Sequence, residues 1–323
     1  MTQGKDLRIV FMGTPDFAVA SLQKLVENGN NVVGVITAPD RPAGRGKQLA
    51  ESAVKKYAVA NSLKVLQPEK LKNPEFLAEL EALNADLQVV VAFRMLPEVV
   101  WSMPRLGTFN LHGSLLPQYR GAAPLNWAVI NGETKTGVTT FLLDHEIDTG
   151  KILFKKEIDI WENDTVGTIH DSLMEIGAGL VVETVDALAS GDYKAIPQEE
   201  LAGETEIKHA PKIFKDDCKI DWSKDVESVR NLIRGLSPYP AAWTTLVHEK
   251  SGQEISAKMF FAMHADGKTT TPGSIETDGK NYLKVACGDG WLQITDIQLA
   301  GKKRMKTNDF LRGFQQIGEY RFQ

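Results

Sequence analysis

Apolar residues in the first two hundred positions switch repeatedly between a strand-like and a helix-like period. Leu7 to Met12 is a short continuous apolar run ending at Gly13, and Val19, Leu22, Leu25 and Val26 then recur at helical spacing. That pattern predicts a strand, a turn and a helix opening at Asp16. Asn31 to Thr37 and Asp86 to Ala92 read as further buried strands, with Phe76, Leu77, Leu80 and Leu83 forming the inner face of the helix between them. Near-continuous apolar strands separated by amphipathic helices imply a mostly parallel sheet with helices on both faces, an α/β, Rossmann-like arrangement. Gly107 to His112 and Gly137 to Leu143 supply two more strands. A long helix is predicted from about Asp164, with Ile169, Leu173, Ile176, Leu180 and Leu188 on one stripe and Gly191 as its stop.

From Asp192 to about Pro211 the periodicity fails, and Glu199, Glu200, Glu204 and Glu206 appear among Gly and Pro. This stretch reads as a linker. Beyond it one helix carries Val226, Val229, Leu232 and Ile233 and ends before Pro238. Short strands follow, punctuated by turn signals at Thr277-Asp278-Gly279 and Gly288-Asp289-Gly290. Several short strands in so few residues suggest a small, OB-like β-barrel. The expected organisation is a first domain over 1–192, a linker over 193–210 and a barrel domain over 211–323.

Composition narrows the class without naming it. A chain of 323 residues, 42% hydrophobic and 24% charged, fits two globular domains with real cores. Its longest strongly apolar run, about Leu87 to Phe93, falls far short of the roughly 20 residues that a membrane span requires. No membrane association is expected. Met1 to Asp6 is polar and lacks an apolar leader segment, and Cys218 and Cys287 are the only cysteines. A cytoplasmic protein without a disulfide framework or a metal site is therefore expected. The net charge of -5 is uneven, since residues 1–210 hold 20 Lys and Arg against 28 Asp and Glu while 211–323 hold 17 against 14. A basic second module suits a polyanionic partner, although so small an excess is also what a solvated surface carries.

The candidate chemistry lies in GTFNLHGSLLPQYRGAAP, residues 107–124. Asn110 and His112 stand two apart on a predicted strand, so their side chains share one face while Phe109 and Leu111 take the other. Gly113 and Ser114 break the strand, placing the pair at its carboxyl end, where open parallel sheets bind ligands. Asp148, before Thr149-Gly150, ends another strand region. Alone, His112 would be a core histidine and Asp148 a turn former. Together, an amide, an imidazole and a carboxylate form a set suited to acyl transfer to an amine without a covalent intermediate. Asn110 donates to an oxyanion, protonated His112 stabilises it or returns a proton to the leaving nitrogen, and Asp148 holds His112 charged or accepts the amine proton through water.

These residues also carry a resemblance. Asn110-Leu111-His112-Gly113-Ser114-Leu115-Leu116-Pro117, with Arg120-Gly121 and Asp148-Thr149-Gly150, resembles the signature of the folate-dependent formyltransferase superfamily. That resemblance implies a Rossmann-like catalytic domain, 10-formyltetrahydrofolate as formyl donor with no metal, and Asn110, His112 and Asp148 as the catalytic set. It further implies a folate pocket lined by Phe93, Arg94, Met95 and Leu96 together with Ser114, Leu115, Leu116 and Pro117. The segment Val91 to Leu96 is similar to the purine-pathway version of that loop and one residue shorter than the tRNA version, and Glu146 stands where many members have Gly.

The branch acting on methionyl-tRNA is the one resembled along the whole chain, through FMGTPDF, PDRPAGRGK at 39–47, the core, IDW and IRGLSPYPAAWT. The implied acceptor is the amine of methionyl initiator tRNA, handled by a monomer. The loop Arg41-Pro42-Ala43-Gly44-Arg45-Gly46-Lys47 offers cations among glycines, so Arg41, Arg45 and Lys47 are candidate phosphate contacts. Lys302, Lys303, Arg304 and Lys306 form a second candidate cluster on the barrel module. An amino-sugar nucleotide is the competing acceptor. Two other classes explain less: a dinucleotide oxidoreductase lacks its G-x-G-x-x-G at Gly13, and a non-catalytic RNA-binding protein leaves the Asn110, His112 and Asp148 set without a role.

Overall fold

A computed structural model describes residues 3–43, 48–203, 206–268 and 270–323. They form two compact units, neither contiguous in sequence. The first comprises Met1–Gly121, Thr136–Ile158 and His170–His209; the second comprises Ala122–Lys135, Asp159–Ile169 and Ala210–Gln323.

The first unit is built on strands β1 (Arg8–Gly13), β2 (Asn31–Ile36), β3 (Val65–Leu66), β4 (Leu87–Val91), β5 (Thr108–His112), β6 (Lys135–Leu142) and β7 (Ile152–Asp159). Their order across the sheet is β7-β6-β5-β4-β1-β2-β3. Every pairing from β3 to β5 is parallel, and β6 joins β5 antiparallel. Sidedness follows from strand alternation. Val10 and Met12 of β1 and Val90 of β4 pack with Phe76 and Leu80 of the helix Pro74–Ala82. That helix starts where Asn73 Oδ1 accepts the Glu75 N–H at 2.8 Å with Pro74 in the first turn. On β5, Leu111 faces the long helix Val166–Ser190 so closely that a Cβ on Gly177 would lie 2.8 Å from Leu111 Cδ2. Glycine leaves room for the Leu111 side chain there, and the alternation along β5 leaves Asn110 and His112 on the opposite face. No described helix is long and apolar enough to cross a membrane.

The second unit is a nearly closed antiparallel barrel of β8 (Ala242–His248), β9 (Glu254–Ala265), β10 (Ile275–Thr277), β11 (Leu283–Ala286), β12 (Trp291–Leu299) and β13 (Tyr320–Phe322). The path is β10-β11-β12-β9-β8-β13, with Met305–Lys306 paired beside β12. Gly273 links its two ends, donating to Ala286 O at 2.8 Å and accepting from Phe322 N at 2.9 Å. The helix Val226–Gly235, capped by Asp225, sends Val229 and Ile233 into the barrel core. It also gathers the two early segments of this unit. Asn126 donates to Gly235 O at 2.8 Å, Arg230 donates to Glu162 O, and Arg234 donates to Asp164 O at 3.2 Å. At the β10–β11 turn, the backbone N–H groups of Asn281 and Lys280 donate to Asp278 and hold its carboxyl well below the usual range.

Candidate active site

β5 ends at His112, and the chain beyond it curls back over the imidazole. Ser114 Oγ donates to Gln118 O at 2.6 Å, while Thr139 Oγ1 on β6 donates to Ser114 O at 2.7 Å and accepts from Leu116 N at 3.1 Å. The turn delivers Tyr119, at φ +61°, so that its carbonyl lies 2.9 Å from His112 Nε2. A carbonyl only accepts, so the proton of the neutral ring belongs on Nε2 and Nδ1 is the nitrogen left for chemistry. Nδ1 faces Asp148 Oδ2 at 3.8 Å, too far for a direct hydrogen bond and close enough for a charged pair. Phe141, opposite Asn110 in the β5–β6 register, presents its edge to the His112 ring at 6.5 Å. Asn110 Oδ1 is buried without a hydrogen-bond partner. On the same face of β5 as His112, that oxygen is free to accept a hydrogen bond from a bound molecule.

Asp148 reaches this position through a strained turn. Its φ is +56°, its carboxylate is only 13% exposed, and Oδ2 accepts the Gly121 N–H at 3.0 Å. Gly150 explains the Thr-Gly that follows: a Cβ there would lie 1.7 Å from Leu142 O on β6. Sequence reasoning missed Gln198. It lies in the stretch read as a linker, between Pro197 and two exposed glutamates, and one sequence gives no signal for it. In the structure its side chain is fully buried and bonded to both halves of the site, to the backbone at Asp148 and Gly150 and to Arg120.

The remaining candidates divide by environment. Ser114, Leu116 and Pro117 are buried within the turn, and Leu115 packs over Gly137 of β6. The Lys155 ammonium donates to Leu116 O, and its burial pulls the Lys155 pKa below the ordinary value. In the Phe93–Leu96 loop, Leu96 joins the core and Met95 is 72% exposed. Arg94 is pinned by donation to Glu69 O at 2.8 Å and to Pro68 O, and burial, then the Arg41 charge, pull its guanidinium below the usual value. Glu146 is exposed. Arg41 is exposed, whereas Arg45 and Lys47 lie outside the described residues. Lys302 and Lys303 are exposed. Arg304 and Lys306 are instead engaged by Asp296, at 3.2 and 2.8 Å, with the Arg304 guanidinium 4.4 Å above the Phe260 ring. Two of those four cations are therefore partly neutralised.

Comparison with known proteins gives a consistent result. Residues 7–185 match the Formyl transferase family and residues 212–315 match Formyl transferase, C-terminal domain. The chain is 62% identical over 319 residues to the methionyl-tRNA formyltransferase of Parabacteroides distasonis, covering 98% of each. In fold it is similar to HypX from Aquifex aeolicus in complex with tetrahydrofolic acid, with TM-score 0.63 and 20% identity over 94% of this chain and 47% of that one. It is similar in fold also to the N-formyltransferase from Helicobacter canadensis in complex with folinic acid and dTDP-3-aminofucose, with TM-score 0.63 and 19% identity over 93% and 100% of the two chains.

Proposed function

The chain belongs to the formyl transferase family, and from that premise we propose that Asn110, His112 and Asp148 are the centre at which it transfers a formyl group. The enzyme takes that group from 10-formyltetrahydrofolate and gives it to the amine of methionyl-tRNA. The observation that carries the assignment to these residues is the orphaned, buried Asn110 amide oxygen beside the His112–Asp148 pair.

The reaction forms a bond from the amine nitrogen to the formyl carbon and breaks the bond from that carbon to the folate nitrogen, which gains the proton the amine loses. Asn110 serves both partners: Oδ1 accepts from an N–H of the incoming amine and aims its lone pair, and Nδ2 donates to the carbonyl oxygen as negative charge develops there. His112 Nδ1, once protonated, lies between that oxygen and the departing nitrogen and supplies the returning proton. Asp148 stabilises the imidazolium and takes up the proton lost from the amine. Gly121 N–H at 3.0 Å and Tyr119 O at 2.9 Å hold the two groups in register before substrate arrives. A charged amine gives its extra proton to solvent before it attacks; the proton lost as the new bond forms passes to Asp148, His112 gives one to the folate nitrogen, and return of the Asp148 proton to Nδ1 restores the pair.

Both substrates are anionic. Arg41, Arg45 and Lys47 of the 41–47 sequence segment, and Lys302, Lys303, Arg304 and Lys306 in the second unit, are the proposed contacts to tRNA phosphate, and the Phe93–Leu96 and Ser114–Pro117 segments are the proposed folate pocket. The acceptor is the initiator form of methionyl-tRNA, the chain works as a monomer, and its two cysteines, buried and unpaired, suit the reducing cytoplasm. The direct test offers purified protein 10-formyltetrahydrofolate with methionyl-tRNA and, in parallel, with an amino-sugar nucleotide. Formylation of the tRNA alone is expected. Asn110→Ala, His112→Ala and Asp148→Ala should each fold and lose about 100- to 1,000-fold in turnover. Near-normal turnover in any two of them refutes the assignment.

A further inference from the structure

Gln198 joins two loops that are far apart in the sequence, at Arg120 and at Asp148 to Gly150. Its Nε2 donates to Asp148 O at 2.8 Å and to Gly150 O at 2.9 Å, and its Oε1 accepts from Arg120 Nε at 3.0 Å and Arg120 Nη2 at 2.7 Å. The side chain is 0% exposed and its amide is fully satisfied. We propose that Gln198 is a positioning residue for the transfer, holding the Asp148 carboxylate on His112 by two routes. The inference rests on the reading of Asp148 given above.

The first route runs through the backbone. Asp148 has φ +56°, a left-handed conformation uncommon outside glycine, and hydrogen bonds from its neighbours hold the turn there. Gln198 captures the carbonyls on both sides of Thr149 and so fixes the peptide planes that aim the Asp148 side chain. The second route runs through Arg120. Its guanidinium is held by Gln198, and the next residue, Gly121, supplies the N–H that meets Asp148 Oδ2 at 3.0 Å. One amide thus secures the strained backbone of the carboxylate and the donor that orients it. Only a primary amide of this length does both, because two carbonyls require donors and a guanidinium requires an acceptor. A glutamate there keeps the Arg120 pairing and sets its second oxygen against the two carbonyls.

The test is a double-mutant cycle between Gln198→Glu and Asp148→Asn, reading kcat and both KM values, with thermal unfolding to confirm that each variant is folded. Gln198→Glu should lower kcat about 10- to 100-fold, the scale of a 1 Å misplacement, and leave both KM values within about twofold. In the Asp148→Asn background it should lower the rate no further, since a residue acting only through Asp148 has nothing left to position. Wild-type kcat in folded Gln198→Glu overturns the inference, as does the same rate factor in both backgrounds, which is what a general structural role produces. Wild-type turnover in Asp148→Asn alone is a separate failure, of the Asp148 reading itself. If Gln198→Glu does not fold, Gln198→Ala in the same cycle decides.

Discussion

One added methyl group at Gly150 should disable the enzyme while leaving it folded. A Cβ there would stand 1.7 Å from Leu142 O and 2.9 Å from Leu142 C, where ordinary contact begins near 3.4 Å. The obstacle is the backbone of β6 and cannot swing aside. The loop must therefore slide off the strand by an amount comparable to the 1.7 Å shortfall. Spread over the turn, that moves Asp148, two residues upstream, by about 1 Å, a misplacement that costs about 100-fold in rate. Overpacking of this kind also costs about 1 to 3 kcal/mol in stability, or roughly 2 to 12 °C in melting temperature for a domain of this size. Gly191→Ala separates the two effects, because its φ of +78° makes it a strained helix stop with nothing within 4 Å of the new Cβ. It should lose about 1 kcal/mol and no turnover. The assay is single-turnover formylation of methionyl-tRNA alongside thermal unfolding. A folded Gly150→Ala protein with the wild-type rate would refute the claim that the position of Asp148 limits the chemistry.

Other expectations follow from the second unit. Asp278, whose carboxyl the Asn281 and Lys280 N–H groups hold low, contributes stability that is complete above the ordinary carboxyl value near 4 and fades as pH falls below it. Melting curves from about pH 6 to pH 2 should therefore show Asp278→Ala less stable at the upper end and converging with wild type in acid; a constant gap would exclude the linkage. For Lys302 and Lys303, exposed beside the paired Arg304 and Lys306, replacing both with Ala should make the slope of log tRNA affinity against log salt shallower by about 1.8 at most. An unchanged slope would remove this patch from the tRNA footprint.

Much of the first unit was legible because burial writes itself into composition. β4 reads Leu-Gln-Val-Val-Val and is buried throughout, and the alternation of Phe109 and Leu111 with Asn110 and His112 is what Gly177 against Leu111 demonstrates. Strand direction is not encoded in that period, so the antiparallel entry of β6 had no signature. The acid-rich stretch after Asp192 offered no periodicity, yet Gln198 there is among the most buried polar groups of the chain, since its partners are two backbone carbonyls and an arginine far away in sequence. Counting charges likewise could not reveal that Asp296, on a neighbouring strand, engages Arg304 and Lys306. Local sequence reports what a side chain avoids, which is water, better than what it meets.

The interleaving of the two units has a consequence for how the chain is made. Residues 122–135 and 159–169 leave the ribosome early, but the helix whose Arg230, Arg234 and Gly235 receive them lies beyond Ala210. At the usual rate of about 5 to 20 residues per second, the chain takes about 3 to 13 s to run from residue 169 to residue 235. Throughout that interval the two early segments wait without their native partners. A nascent chain stalled near residue 209 therefore carries every strand of the first unit's sheet together with two unclaimed segments, and these are where a chaperone would be expected to hold it.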